Sequence, residues 1–209
     1  MTDFAKLPVG AFLAALASEA PTPGGGTAAA VSGAVGAALA EMVAALTLGK
    51  EKFADAHAAV RPIAEAASAA RRELLELARE DALAFDAVVA ARRLPKETDE
   101  EREARATAVA LSNRAATEVP MRTARAAARL LAALPELVAK GNPNAASDAG
   151  TAALLLEASA EGALLNVGIN LPGIKDTAYV EQMQRETAQL QGDVQRARSK
   201  VLEAVRKKF

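Results

Sequence analysis

The sequence contains no cysteine and no tryptophan, one histidine (His57) and one tyrosine, and aromatic residues make up only 3% of its 209 positions. Without thiols, a disulfide framework, a thiolate nucleophile and cysteine-based zinc sites are excluded. A lone histidine in an alanine-rich stretch has no companion ligand, so no metal is expected. The lack of aromatics, set against alanine in nearly every segment, favours helices packed closely through small side chains over sheets built from β-branched and aromatic residues. Neither sign of charge is in excess: 25 basic and 26 acidic residues leave a net charge of -1. No global field therefore favours nucleic acid or anionic lipid, and no nucleic-acid partner is expected. The opening "MTDFAKLPVG" lacks the basic, apolar and small-residue regions of a secretory signal, which makes the cytoplasm the expected location. What is abundant is apolar surface, at 51% of residues, enough for a core of its own. No linker or repeat divides the chain, so one domain spanning 1–209 is expected.

Hydrophobic spacing and breakers predict an all-α bundle of about six or seven long helices, able to dimerise through helix packing. The first runs from about Pro8 to Glu19, and Pro21 and Pro23 end it. The second, Thr27 to about Lys50, is too long and too poor in charge to lie on a surface. It is long enough to span a bilayer. Its Ala/Gly composition and Glu41 near its middle argue against that, and no membrane partner is expected. Gly33, Gly36, Ala37 and Ala40 instead form a smooth stripe suited to a bundle core or a subunit interface. A third helix, interrupted or started near Pro62, continues to Leu94-Pro95. A fourth follows an acidic first turn and ends at Pro120; another reaches Lys140, kinked or broken at Pro135, with Gly141 beyond its end. "GNPNAASDAG" reads as a loop, after which Ser147 or Asp148 begins a helix running to about Asn170. "LPGIKD" breaks the chain before an amphipathic helix from about Thr177 to Lys207.

Several residues stand out chemically. "PTPGGGT" lacks the Gly-Lys-Ser/Thr ending of a phosphate loop and no strand precedes it, so it is either a tight interhelical turn or a place where backbone N–H groups meet a ligand. Asp81 falls in the row Leu74, Leu77, Phe85 and Val88. Either it pairs with Arg71, Arg72 or Arg79, or it is a carboxylate among apolar neighbours with a raised pKa and a task. Gly162, Asn166 and Asn170, spaced by four, put two amides on one face of an apolar helix, where backbone groups or a ligand must satisfy them. Asp148 has the bland alternative of a helix cap, Lys50 that of a helix-end cation. Glu157 and Glu161 have no histidine partners for a carboxylate metal site.

In combination, "PTPGGGTAAAVSGAVGAALAEMVAALTLGK", "EDALAFDAVVAARRLPK" and "GNPNAASDAGTAALLLEASAEGALLNVGINLPGIKD" resemble, in this order, the cyclodeaminase/cyclohydrolase family of folate enzymes. The resemblance implies an all-helical subunit that dimerises, with a tetrahydrofolate derivative bound in a cleft at the dimer interface and no cofactor beyond that substrate. It implies a cyclohydrolase acting on 5,10-methenyltetrahydrofolate, or a cyclodeaminase releasing ammonia from 5-formimidoyltetrahydrofolate. Asp81 then matches the catalytic carboxylate, and Gly24, Gly25 and Gly26 the glycine loop near the substrate. Lys50 matches a usually basic position that would attract the glutamate tail. Asp148 matches the aspartate after the Asn-rich loop, and Asn166 and Asn170 the asparagines that hold the pterin. Glu41 and Pro172 depart from the family pattern. The alternative is a non-catalytic helical dimer, a folate binder or interaction scaffold, which requires Asp81 exposed or locked to an arginine with no cleft beside the glycines.

Overall fold

The computed structural model describes residues 6–208, and among these it contains helices and turns without a strand. Six α-helices follow one another: α1 (Val9–Leu16), α2 (Gly25–Leu48), α3 (His57–Arg92), α4 (Asp99–Lys140), α5 (Ala146–Asn170) and α6 (Thr177–Arg206). Helices α2, α3, α4 and α5 form an up-down-up-down four-helix bundle in which each packs on its two neighbours. Helix α6 lies in the outer groove between α4 and α5. The main core gathers Val43, Val60, Leu74, Leu77, Leu131, Leu134, Leu137 and Leu156, all essentially inaccessible. A second cluster around Met121, Val167, Tyr179 and Met183 fills the end of the bundle below the α5–α6 turn.

Helix α2 lies deep because its side chains are small. A Cβ added at Gly36 would stand 3.0 Å from the Ala152 carbonyl oxygen and 3.1 Å from Leu156 Cγ, and one added at Gly33 would meet Ser159 and, at 3.1 Å, a Leu74 methyl. The smooth stripe is therefore core within one chain rather than a contact between chains. Both α2 and the stretch Pro143–Gly173 are long and apolar enough to cross a membrane by length and composition. In this fold Glu41, the charge inside α2, pairs with Arg71 of α3 at 2.8 Å, which holds its carboxyl below the ordinary glutamate value.

Several boundaries differ from those the sequence predicts. α1 is shorter, and α2 starts at Gly25 and ends at Leu48, its glycines forming the first turn. α3 starts at His57, five residues before Pro62, with a 3₁₀ turn (Glu51–Ala56) before it. The largest difference is Pro120, which does not end a helix: α4 passes through both Pro120 and Pro135. A proline inside a helix leaves the carbonyl four residues earlier without its donor. For Pro120 that carbonyl belongs to Ala116, and the Asn170 side-chain amide supplies the missing hydrogen bond at 2.7 Å from the end of α5. α4 begins with a capping box in which Thr98 and Glu101 satisfy each other's backbone N–H groups. At the other end of the bundle Asn142 is buried, donates its backbone N–H to the Thr47 hydroxyl oxygen at 2.9 Å, and so ties the α4–α5 turn to the end of α2.

Candidate active site

The α2 helix begins where α3 and α5 approach their ends, and a cavity of about 500 Å³ opens there. It is lined by Gly24, Gly25 and Gly26 from α2 and its cap, Asp81 and Phe85 from α3, Asn113 and Ala116 from α4, and Asn166 and Asn170 from α5. Gly173, in the turn after α5, closes one side.

Among the described residues Asp81 is the only carboxyl group lining the cavity. Its Oδ2 accepts the Thr27 hydroxyl at 2.9 Å, and the Thr27 backbone N–H also bonds the carboxylate. Gly24 caps α2 without a side-chain hydrogen bond, so a carboxylate from a different helix satisfies one of the orphan donors of the first turn. Burial pushes the Asp81 carboxyl above the ordinary aspartate value, and the two Thr27 hydrogen bonds hold part of that rise back. Among the described residues no cation pairs with it. Arg71 binds Glu41, Arg72 binds Ser68, and Arg79 binds Glu76, while the neighbouring Glu80 is taken by Arg122. The carboxyl group lies directly on the Gly26 Cα. A Cβ at that position would clash with Oδ1 and stand 2.7 Å from Cγ and 2.8 Å from Oδ2.

Three asparagines make a second functional set, and their amide orientations follow from their partners. Asn166 donates to the Gly162 carbonyl at 2.8 Å, Asn170 to Ala116 at 2.7 Å and Asn113 to Gly173 at 3.1 Å. Each NH₂ group thus spends one of its two N–H donors on a backbone carbonyl, which leaves a second N–H and the amide oxygen of each without a protein partner among the described residues. Such a wall suits a ligand edge that carries both donors and acceptors. The exposed N–H groups at the start of α2 offer further donors across the space.

The structure gathers Gly24, Gly25, Gly26, Asp81, Asn166 and Asn170 around one cavity; Lys50 and Asp148 it does not. Lys50 follows the far end of α2 and is exposed; Asp148 lies in the first turn of α5. At 1.5 Å per residue, the length of α2 puts Lys50 roughly 36 Å from Gly26 within the chain. Phe85, placed in the apolar row by its spacing, is 42% exposed at the cavity rim, whereas Leu74, Leu77 and Val88 are buried. Asn113, Thr27 and Arg92 escaped the sequence reading. Thr27 stands next to the glycines and Asn113 seven residues before Pro120, but nothing local distinguishes either from an ordinary helical residue. Among the described residues no three His, Asp or Glu side chains gather as a metal site would need.

A family model described as formiminotransferase-cyclodeaminase matches residues 8–189, most of the chain. The chain belongs to this family. A methenyltetrahydrofolate cyclohydrolase of Methylorubrum extorquens is 43% identical over 198 residues, covering 94% of this chain and 95% of that protein. A formimidoyltransferase-cyclodeaminase of Sus scrofa is 38% identical over 183 residues, 88% of this chain but 34% of that longer protein. The crystal structure of a formiminotetrahydrofolate cyclodeaminase from Thermotoga maritima superposes with a TM-score of 0.86 at 32% identity, covering 97% of this chain and 98% of that one. The helical bundle is thus the family's fold.

The contact between Gly26 and Asp81 gives a direct test. The obstruction to a new methyl group is the tip of a side chain, so Gly26→Ala is expected to fold while displacing the carboxyl group, and to lose at least about tenfold in turnover. Circular dichroism and steady-state kinetics check both halves, and full activity in that variant would show that the carboxyl position is immaterial.

Proposed function

We propose that this protein is a folate one-carbon enzyme in which Asp81 carries protons to and from the reacting carbon. The observation that supports this most is a half-buried carboxylate free of any counter-cation among the described residues, in a cavity walled by asparagine amides and the start of α2. The non-catalytic alternative requires an exposed or arginine-locked Asp81 and no cleft, and neither condition holds.

The favoured reaction is hydrolysis of 5,10-methenyltetrahydrofolate, as in the relative matched along nearly its whole length. The Asp81 carboxylate takes a proton from water as the oxygen attacks the methenyl carbon. The cation becomes a neutral tetrahedral adduct. Collapse of this adduct breaks one C–N bond; the departing nitrogen receives the proton from Asp81, the hydroxyl proton passes to solvent, and a formyl-tetrahydrofolate remains. The charge on Asp81 also stabilises the amidinium-like cation before attack. A second reading, favoured by the likeness to the Thermotoga maritima structure, is cyclodeamination. There N10 attacks the protonated formimidoyl carbon, Asp81 accepts the N10 proton and returns it to the amine, and ammonia leaves. In both, the asparagine oxygens would accept from the pterin N–H groups.

The second copy expected from the family resemblance has a surface to meet. On α2, Val35, Met42 and Leu46 are exposed; on the adjacent, antiparallel α5, so are Leu154, Leu165 and Ile169. These side chains lie on the side of the two helices away from the bundle core. A contiguous apolar face of this kind is what self-association covers. A two-fold axis across these helices would set the Lys50 and Asp148 end of one protomer beside the cavity of the other. Sedimentation is expected to give the mass of two copies, with Leu165→Arg reducing it to one; a wild-type protein that sediments as a single copy contradicts the dimer.

Assay of the purified protein with both folates tests the function. Turnover of 5,10-methenyltetrahydrofolate above the spontaneous rate is expected, and its loss by roughly 100-fold or more in Asp81→Asn, the usual worth of a positioned acid-base group. That variant is also expected to be more stable near neutral pH. Burial raises the folded-state pKa, so the folded protein binds a proton to higher pH than the unfolded chain. Stability therefore falls as pH rises from the unfolded value through the folded one, and stays lower above it. An uncharged side chain avoids that loss. Near-normal turnover in Asp81→Asn would falsify the assignment.

A further inference from the structure

A cavity of about 650 Å³ runs along the outside of the bundle between α5 and α6, and it shares no lining residue with the catalytic cavity. It opens where the two helices carry little side chain: a Cβ added at Gly168 would touch nothing, and Ala188 on α6 is exposed. Leu171 and Val180 give it an apolar floor, and Thr187 and Gln191 stand toward one end. Among the described residues no lysine or arginine lines it. Its lining carboxylate, Glu181, is exposed and comes no closer than 3.6 Å to Arg185 of the same helix.

The packing behind Gln191 leaves polar groups unsatisfied. Gln191 Nε2 donates to one Glu161 oxygen at 3.1 Å; the other, Oε1, is buried without a partner, and so is the Thr187 hydroxyl one turn along α6. Other acids that face a neighbouring helix meet an arginine: Glu41 with Arg71, Glu80 with Arg122, Glu186 with Arg125. One turn before Glu161 on α5, Glu157 takes Arg198 from α6 at 2.9 Å. Glu161 receives a neutral amide instead, and among the described residues no cation pairs with it. A carboxylate oxygen left bare resists burial, and a positive group brought from outside removes that penalty. Gln191 both bonds Glu161 and lines the cavity, so rotation of its side chain opens the path to the carboxylate.

One ammonium would satisfy Glu161 alone, but the groove is long. The α6 segment from Glu181 to Gln191 extends roughly 15 Å. Two carboxylates at the ends of an apolar trough, with no cation between them, match a flexible chain that is positive at both ends and apolar along its stem. We propose that the α5–α6 groove binds a linear aliphatic polyamine. One terminal ammonium sits on Glu161 beside Thr187, the methylene stem lies over Leu171 and Val180, and the other end reaches Glu181. A metal ion has no stem for the floor, and a short diamine reaches only one of the two carboxylates. The site stands on the outer side of α5 and does not depend on the folate chemistry.

The test is calorimetric titration of the full chain with spermine and with putrescine at matched ionic strength, alongside melting curves. Spermine is expected to bind once per chain, at least about tenfold more tightly than putrescine, and to raise the melting temperature. Glu161→Gln should weaken spermine by about tenfold or more, the worth of one charge-assisted hydrogen bond. Ala188→Trp fills the groove from an exposed position without touching a charge, and is expected to melt as the wild type does yet gain nothing from spermine. Gln191→Ala uncovers the carboxylate and should bind spermine as tightly or more tightly. Should Glu161→Gln fail to fold, Ala188→Trp decides alone. No binding of spermine, equal binding of the two amines, the same stabilisation by magnesium chloride, or spermine affinity unchanged in folded Ala188→Trp would overturn the site.

Discussion

The site depends on one close approach: a carboxyl group from α3 resting on the bare Cα of Gly26 and bonded to Thr27 at the first turn of α2. Everything that helps this contact also exacts a cost. Glycine at a helix start lowers helix stability, and a carboxylate without a counter-cation resists burial. The opposing gain is the positive end of a 24-residue helix, whose orphan N–H groups attract negative charge. Burial outweighs the other effects, so the pKa rises, while the Thr27 hydrogen bonds favour the ionised form. Such a group can take up a proton and give it back.

The rest of the bundle holds that contact in register. Small residues on the inner side of α2 let α3 and α5 come close along its length, so the position of Asp81 is fixed by packing through Gly33 and Leu74 two turns below. Pro120 plays a less obvious part. By leaving the Ala116 carbonyl without its helical donor, it creates an acceptor that Asn170 fills, and this anchors the end of α5 at the cavity. A defect in one helix thereby orients a side chain of another.

The fold class was legible because alanine-rich apolar spacing of helical period, with few aromatic residues, leaves few other ways to bury a core. Helix boundaries were less so. Pro120 reads locally as a stop, and only the tertiary partner Asn170, fifty residues away, makes a continuous α4 possible. Asp81 was visible because a carboxylate in an apolar row is an anomaly, and the glycine run because three glycines at a helix start ask for a close neighbour. Thr27 and Asn113 were not visible: their roles arise from what stands opposite them in space. Lys50 and Asp148 show the converse. Their motifs are plain in the sequence, yet one chain keeps them at the far end of the bundle.

The central claim is that Asp81 ionises in a partly desolvated pocket without a cation to hold it charged. Carboxyl carbon NMR of ¹³C-labelled protein across pH, with Asp81→Asn used to assign the resonance, measures this directly. The account predicts a titration midpoint above that of an ordinary aspartate, and one that rises further when Thr27→Val removes the hydroxyl donor. A midpoint at or below the ordinary value, indifferent to residue 27, would contradict it.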